Sequence, residues 1–391
     1  MKIRIQINKL IFPIIFLLSI FLHTEFAATT MFISIKHLFM LGSICWYFYN
    51  MYRMDKLLNA IILLSLIEIM FSYLVNNIST INIDMLYGYV LYTLPFLFDH
   101  KLFTNCIEQG AKLTFIISFI LLIFWRYFGL FRFWNDNIIA YLYFGGINSF
   151  LFMNSIRSSF IEKIRKLNFS IIILTLMYIA SIIILMHTNS RNVFIAQILI
   201  VVFYCFKNIF KNKYVYIFIA LIVITYSASI IVINEYLQTN KEIMTFISTI
   251  SSAYFQKNTV FDGRLVVQRE VLQLINQNMF TKMLGHCLYP NALGIAPHNN
   301  FLTIAYEFGF IGYCLFLCFV LRIMYIGYKN IINGDDISFT AVLIIMGYLI
   351  QLSAESFMIG NDIIVLLPYF YMGIILSRRK KYVTKKNYHL D

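Results

Sequence analysis

The chain has 391 residues, of which 60% are apolar and only 13% are charged. Soluble domains carry roughly 45–50% apolar and about 25% charged residues, so this composition excludes a soluble globular enzyme, a disordered chain and a coiled coil, and it indicates an integral membrane protein. The formal net charge of +13 therefore does not predict a nucleic-acid partner, because Lys and Arg beside membrane spans usually mark the cytoplasmic side.

Apolar runs long enough to cross a bilayer recur along the chain, since a crossing helix needs about 20 residues. They are predicted to be helices, because hydrocarbon offers no partner to backbone amides and the runs lack the alternation of barrel strands. About twelve spans are expected, over residues 10–22, 31–49, 57–75, 83–98, 113–130, 138–153, 169–187, 193–210, 214–233, 300–326, 337–353 and 361–377. The first is interpreted as an uncleaved span, although Ala27-Ala28 leaves a cleavable signal open.

Most Lys and Arg outside these spans fall in the connecting segments on the side of the N-terminus. This bias predicts that both termini are cytoplasmic. Four regions follow: residues 1–233 with the first nine spans, a large extracytoplasmic loop at 234–299, residues 300–377 with the last three spans, and a basic cytoplasmic tail at 378–391. The tail is interpreted as a cytoplasmic anchor of the last span, with binding of membrane lipid as the alternative.

Inside the large loop, Asp262 is a suitable N-cap for a predicted amphipathic helix that runs to about Asn278, with Asn276 or Asn278 as its stop. Arg264 and Gln268 fall on its apolar side, and Arg269 falls on the polar side. A guanidinium cannot stay unpaired against an apolar interior. Either Arg264 points into a polar pocket at the membrane surface, which we favour, or the helix begins elsewhere.

Two further outer sites carry candidate functional residues. Ser190-Arg191 lies in a very short predicted turn, where Arg191 either serves an external ligand or extends to lipid phosphate. His298 precedes the tenth predicted span, with Asn299 or Asn300 as N-cap. The positive end of a helix is a natural seat for a phosphate.

Other titratable residues favour different functions. His286 and His298 have no standard zinc-ligand spacing and no completing Cys or acidic cluster, so no metal or other cofactor is expected. Glu68, Glu307 and Glu355 lie in or near spans, and intramembrane carboxylates keep a transporter among the alternatives.

Two arginines and a histidine on the outer face suit one kind of chemistry. A synthetic reaction there must carry its energy in the substrate, and a lipid-linked diphosphate sugar does so because the diphosphate is the leaving group. Arg191 and Arg264 could neutralise the charge that develops on the diphosphate. His298 could take the proton from an acceptor hydroxyl.

Several short motifs resemble the O-antigen ligase and polymerase (Wzy/WaaL) family. They are Ser190-Arg191, Asp262-Gly263-Arg264, Leu284-Gly285-His286, His298-Asn299-Asn300-Phe301-Leu302 and Glu307-Phe308-Gly309-Phe310-Ile311-Gly312. The resemblance implies a GT-C-like membrane fold and metal-independent, inverting glycosyl transfer from undecaprenyl-diphosphate-linked oligosaccharide. It also implies catalytic roles for Arg191, Arg264 and His298. Asn299, Asp262 and Arg269 are the additional candidates for substrate binding. Asp262 departs from the family, where Ser is commoner.

We therefore expect a glycosyltransferase of the bacterial inner membrane with its active site on the extracytoplasmic face. The favoured activity is polymerisation of O-antigen or capsular repeat units between two lipid carriers, with a chain-length regulator as a possible partner. The alternatives are an O-antigen ligase that uses a lipid A core acceptor, a polysaccharide flippase or transporter, and a membrane scaffold without catalysis.

Overall fold

The computed structural model describes residues 2–21, 30–53, 55–76, 93, 95, 107–129, 136–156, 169–188, 190–207, 212, 214, 264–287, 298–352 and 365–387. Within these ranges every regular element is a helix, and no strand is present. The predicted all-α class is confirmed for this part of the chain.

The helices follow the apolar runs. They are α1 (Lys2–Phe21), α2 (Thr30–Asn50), α3 (Lys56–Val75), α4 (Ile107–Phe128), α5 (Asp136–Ile156), α6 (Phe169–Met186), α7 (Arg191–Cys205), α8 (Arg264–Ile275), α9 (Met279–Leu284), α10 (Asn300–Ile332), α11 (Asp336–Leu352) and α12 (Leu367–Asn387). Four of them, α3, α4, α6 and α10, are long and apolar enough to cross a membrane.

The predicted spans that fall on described residues coincide with helices. The spans at 83–98 and 214–233 lie almost entirely outside the described residues, so the count of twelve stays a prediction. The large loop is described only at 264–287 and 298–299. Its full extent and its side of the membrane also stay predictions.

The core lies around α5, α11 and α12. All side chains at residues 139–154 of α5 and 338–349 of α11 are buried, and so are those at 365–376, at the start of α12. A helix that is apolar on all sides is suited to the centre of a bundle. Aromatic rings join these helices to α1, with Phe12 between Phe370 and Tyr371 at centroid distances of 4.5 and 5.7 Å.

A buried ion pair joins the α10–α11 turn to α12. Arg378 donates through Nη2 and Nε to Asp335, at 2.8 and 3.1 Å, and both residues are buried. Asp335 also accepts from the backbone N–H and the hydroxyl of Ser338, at 3.3 and 2.6 Å. The first residue of the predicted basic tail therefore has a structural partner, and α12 continues through the tail as far as Asn387.

Candidate functional site

Helix α10 is broken near its N-terminal end. Gly309 has φ 63° and ψ −169°, a conformation that is essentially restricted to glycine. The break separates a half-helix at 300–308 from the longer part at 310–332. Because helical hydrogen bonding is interrupted there, the carbonyls of Tyr306 and Glu307 need partners from elsewhere in the chain.

Those partners come from the segment that follows α9. The backbone N–H of His286 donates to the Tyr306 carbonyl at 2.8 Å, and that of Cys287 donates to the Glu307 carbonyl at 3.0 Å. Gly285 has φ 74°, and a Cβ on Gly285 or on Gly309 would overlap the facing backbone. The Leu-Gly-His and Glu-Phe-Gly motifs therefore form one contact, although they are separate in sequence.

The end of α3 completes this contact. Ser72 donates its hydroxyl to the Leu284 carbonyl, and Asn76 donates its side-chain amide to the Gly285 carbonyl at 3.2 Å. The Ser72 hydroxyl oxygen also lies 2.8 Å from Cys287 Sγ. Burial raises the pKa of the Cys287 thiol to about 11, so the thiol stays protonated near neutral pH. We call this meeting point of residues 72–76, 284–287 and 306–309 the junction.

The loop helices pack on the half-helix through an apolar patch. Val271 and Ile275 of α8 are buried against Leu302 and Tyr306. Gln268 is also buried, as its predicted place on the apolar side of the helix requires. Of the two predicted stops, Asn276 directly follows Ile275, the last residue of α8. Asn278 instead caps α9, where its side chain accepts from the Thr281 N–H at 2.8 Å.

His286 is part of the junction. Its ring stacks on Tyr306 with centroids 4.4 Å apart and an interplanar angle of 18°. Its Nε2 donates to the Leu274 carbonyl at 3.1 Å. Burial lowers the pKa of His286, and the hydrogen bond to the carbonyl opposes that effect.

This lowered pKa predicts that acid loosens the junction. A released His286 would bind a proton more tightly than the packed one, so the contribution of His286 is complete above about pH 6.5 and is lost as the pH falls below that value. Hydrogen-exchange protection of the amides at 276–287, measured relative to the intrinsic exchange rate at each pH, should therefore decrease below about pH 6.5. His286→Gln should remove this pH dependence, and an unchanged profile in that variant would contradict the assignment.

His298 and Asn299 lie where α10 begins. His298 has φ 47°, in the left-handed region, and its side chain is partly exposed. Asn299 is fully buried and is the N-cap, because its side-chain oxygen accepts from the N–H groups of Phe301 and Leu302 at 3.0 and 3.2 Å. The predicted cap is thus confirmed. It also occupies two of the helix N–H groups that an anion could have used.

The two predicted arginines also open helices. Arg191 is the first residue of α7 and not a turn residue, and Arg264 is the first residue of α8. The side chains of Arg191, Arg264 and Arg269, and the whole of Asp262, lie outside what the structure describes. Their predicted convergence on His298 therefore stays a prediction.

Two buried carboxyl groups, one in the junction and one near it, are candidates for function. Glu307, in the half-helix, is fully buried, and neither of its carboxylate oxygens has a hydrogen-bond partner among the described residues. Glu68, in α3, is also buried, and both groups act electrostatically on Cys287. Among the residues with described side chains, no group of three or more His, Cys, Asp or Glu could hold a metal ion.

Sequence reasoning missed Ser72 and Asn76 as contributors to this region. They end a long apolar helix with two polar residues four positions apart, which places both on one face. That spacing was the available signal. It could not identify the partners, which lie more than 200 residues further along the chain.

Part of the chain matches a family of known proteins. Residues 176–317 match the O-antigen ligase family. The matched segment includes Arg191, Arg264 and His298 and extends beyond the break in α10. The match supports the resemblance noted in the sequence, and with the apolar helices it indicates a membrane enzyme of the bacterial inner membrane. No curated protein and no solved structure matches the chain significantly.

Proposed function

We propose, on the premise that this chain is of the O-antigen ligase and polymerase family, that it is a polysaccharide polymerase. It would transfer glycan from undecaprenyl diphosphate to the sugar of a second lipid-linked repeat unit. One observation supports the proposal: Arg191 and Arg264 are the first residues of described helices, and His298 lies directly before the N-cap of a third.

A cation at a helix N-terminus is unfavourable by itself. The helix dipole places partial positive charge there, and a like charge costs about 0.3–1 kcal/mol. A bound anion makes the electrostatic energy favourable, because its negative charge is attracted both to the guanidinium and to the unpaired N–H groups of the first turn. The charges of Arg191 and Arg264 are thus unfavourable at these positions in the free protein and become favourable when a diphosphate is bound.

The transfer step follows from these roles. The acceptor hydroxyl oxygen attacks the anomeric carbon of the donor sugar, and the bond from that carbon to the diphosphate oxygen breaks. The bonding electron pair remains on undecaprenyl diphosphate, where Arg191 and Arg264 offset the charge. The hydroxyl proton passes to His298. Attack opposite the leaving group inverts the anomeric centre, and the step requires no metal.

Reconstituted protein with radiolabelled lipid-linked repeat unit tests this proposal. Arg191→Ala, Arg264→Ala and His298→Ala should each reduce polymer formation by roughly 100-fold or more, which is typical for loss of a catalytic group. Arg126→Ala is a matched control, because Arg126 is an exposed arginine in the last turn of α4. Wild-type polymer from stably folded Arg264→Ala and His298→Ala variants would overturn the assignment.

The ligase alternative is favoured by the description of the matched family, O-antigen ligase. It shares the donor chemistry and differs in the acceptor. The same assay should therefore be run with a lipid A core acceptor beside the lipid-linked repeat unit. We expect transfer to the repeat unit, with product length set by a partner chain-length regulator, and transfer only to the lipid A core would establish the ligase instead.

A further inference from the structure

A closed polar network lies in the bundle away from the junction. It joins Asn148 of α5, Tyr178 of α6 and Gln197 of α7, all of which are buried. The amide of Asn148 donates to Gln197 Oε1 at 2.8 Å, and the amide of Gln197 donates back to Asn148 Oδ1 at 3.0 Å. Gln197 Nε2 also donates to the Tyr178 hydroxyl oxygen at 2.7 Å, and that hydroxyl donates to Asn148 Oδ1 at 3.2 Å.

This network uses every side-chain N–H and O–H that its members offer. The second amide hydrogen of Asn148 goes to the Phe144 carbonyl at 2.9 Å, and both amide hydrogens of Gln197 stay inside the network. Polar groups buried in a bilayer-spanning bundle are costly unless they are paired. A fully satisfied network therefore favours one relative position of the three helices over the neighbouring ones.

The position of helix α7 determines where Arg191, its first residue, lies in the bundle. The helix has 15 residues, and Ser190 makes no side-chain cap hydrogen bond. Most side chains of α7 are apolar, and apolar contacts alone discriminate weakly between registers in lipid. Gln197 lies about 9 Å along the axis from Arg191 at about 1.5 Å per residue, so its hydrogen bonds constrain both the depth and the rotation of that arginine.

We propose that the Asn148–Tyr178–Gln197 network sets the register of α7 and thereby holds Arg191 at the level of the donor diphosphate. Its members are positioning residues that act through Arg191. This inference rests on the proposed function, because it takes Arg191 as a ligand of the diphosphate.

Binding of undecaprenyl diphosphate to the detergent-solubilised full-length protein tests this role. Gln197→Leu should weaken binding about tenfold, because one residue carries hydrogen bonds to two other helices. Tyr178→Phe, which removes a single hydroxyl, should have a smaller effect in the same direction. In an Arg191→Ala background Gln197→Leu should cause no further loss, whereas a merely structural change would lower affinity again.

Ser181→Ala is the matched control. Ser181 is also buried in α6, but its hydroxyl bonds only to the Met177 carbonyl at 2.8 Å within the same helix. We expect wild-type affinity from this variant. The proposal is overturned if a folded Gln197→Leu protein binds undecaprenyl diphosphate as the wild type does. It is also overturned if the affinity of the double variant is lower than that of Arg191→Ala by the full factor that Gln197→Leu causes alone.

A second readout separates this proposal from the proposed function. In a background without other cysteines, the rate at which a water-soluble maleimide labels the Arg191→Cys variant reports the depth of position 191. Gln197→Leu should change that rate at least severalfold even if Arg191 has no role in catalysis. An unchanged labelling rate would contradict the proposal that the network sets the register of α7. Wild-type binding of undecaprenyl diphosphate by the Arg191→Ala variant would instead contradict the proposed function.

Discussion

Gly309→Ala is expected to abolish polymer formation and to destabilise the protein by several kcal/mol. The conformation of Gly309, with φ 63° and ψ −169°, is essentially closed to other residues and costs about 1–3 kcal/mol when forced on one. A Cβ would also overlap the Met283 carbonyl and would lie 2.5 Å from the Gly285 nitrogen. The half-helix that begins beside His298 would have to move away from the loop helices. Thermal unfolding in detergent and the polymerisation assay measure the two effects.

Gly334→Ala separates the energetic cost of backbone strain from the cost of steric overlap by the added Cβ. Gly334 also has a positive φ, 83°, but a Cβ there meets no atom within 4 Å. This variant should show only a backbone penalty of about 1–2 kcal/mol and should keep its activity. If Gly309→Ala is no more destabilised than Gly334→Ala, the close backbone contact at the junction does not contribute to stability.

Asp335→Ala is expected to have the second large effect. It would leave the buried guanidinium of Arg378 without its bidentate partner, and breaking a buried pair costs about 3–5 kcal/mol. It would also remove the acceptor for the Ser338 N–H and hydroxyl at the start of α11. The unfolding midpoint and the yield of folded protein should both fall.

The adjacent residue supplies the control. Asp336 pairs with Lys207, and the two side chains are 39% and 38% exposed, so solvent screens the attraction. Asp336→Ala should cost less than about 1 kcal/mol, as exposed ion pairs do. Equal destabilisation by the two alanine variants would show that burial of the Arg378 pair has no energetic consequence.

The positions of the helices were largely predictable because each membrane span is an unbroken apolar run in the sequence. The same holds for the cap at Asn299 and for the buried side of α8 that includes Gln268, since both depend on residues within one or two turns. Of the two predicted stops of α8, Asn276 follows the last helical residue directly, whereas Asn278 does not end this helix. An Asn that follows a helix also suits the start of the next, and Asn278 caps α9.

The break in α10 was not predictable from the apolar pattern. Residues 301–326 are almost uniformly apolar, and hydropathy carries no information about the φ angle of Gly309. The contacts of Ser72 and Asn76 were not predictable for another reason, because their partners lie more than 200 residues away in the chain. Arg191 was assigned to a turn because its neighbours are polar, yet it begins α7.

The broken helix also indicates how relatives of this protein could be recombined. Residues 300–308 share backbone hydrogen bonds with the segment after α9, and an apolar patch with α8. A chimera that exchanges residues 264–308 as one block keeps these contacts within a single parent. A crossover placed between the loop and α10, which a hydropathy plot would suggest as the natural boundary, separates them. The modular unit of this protein thus ends inside a helix.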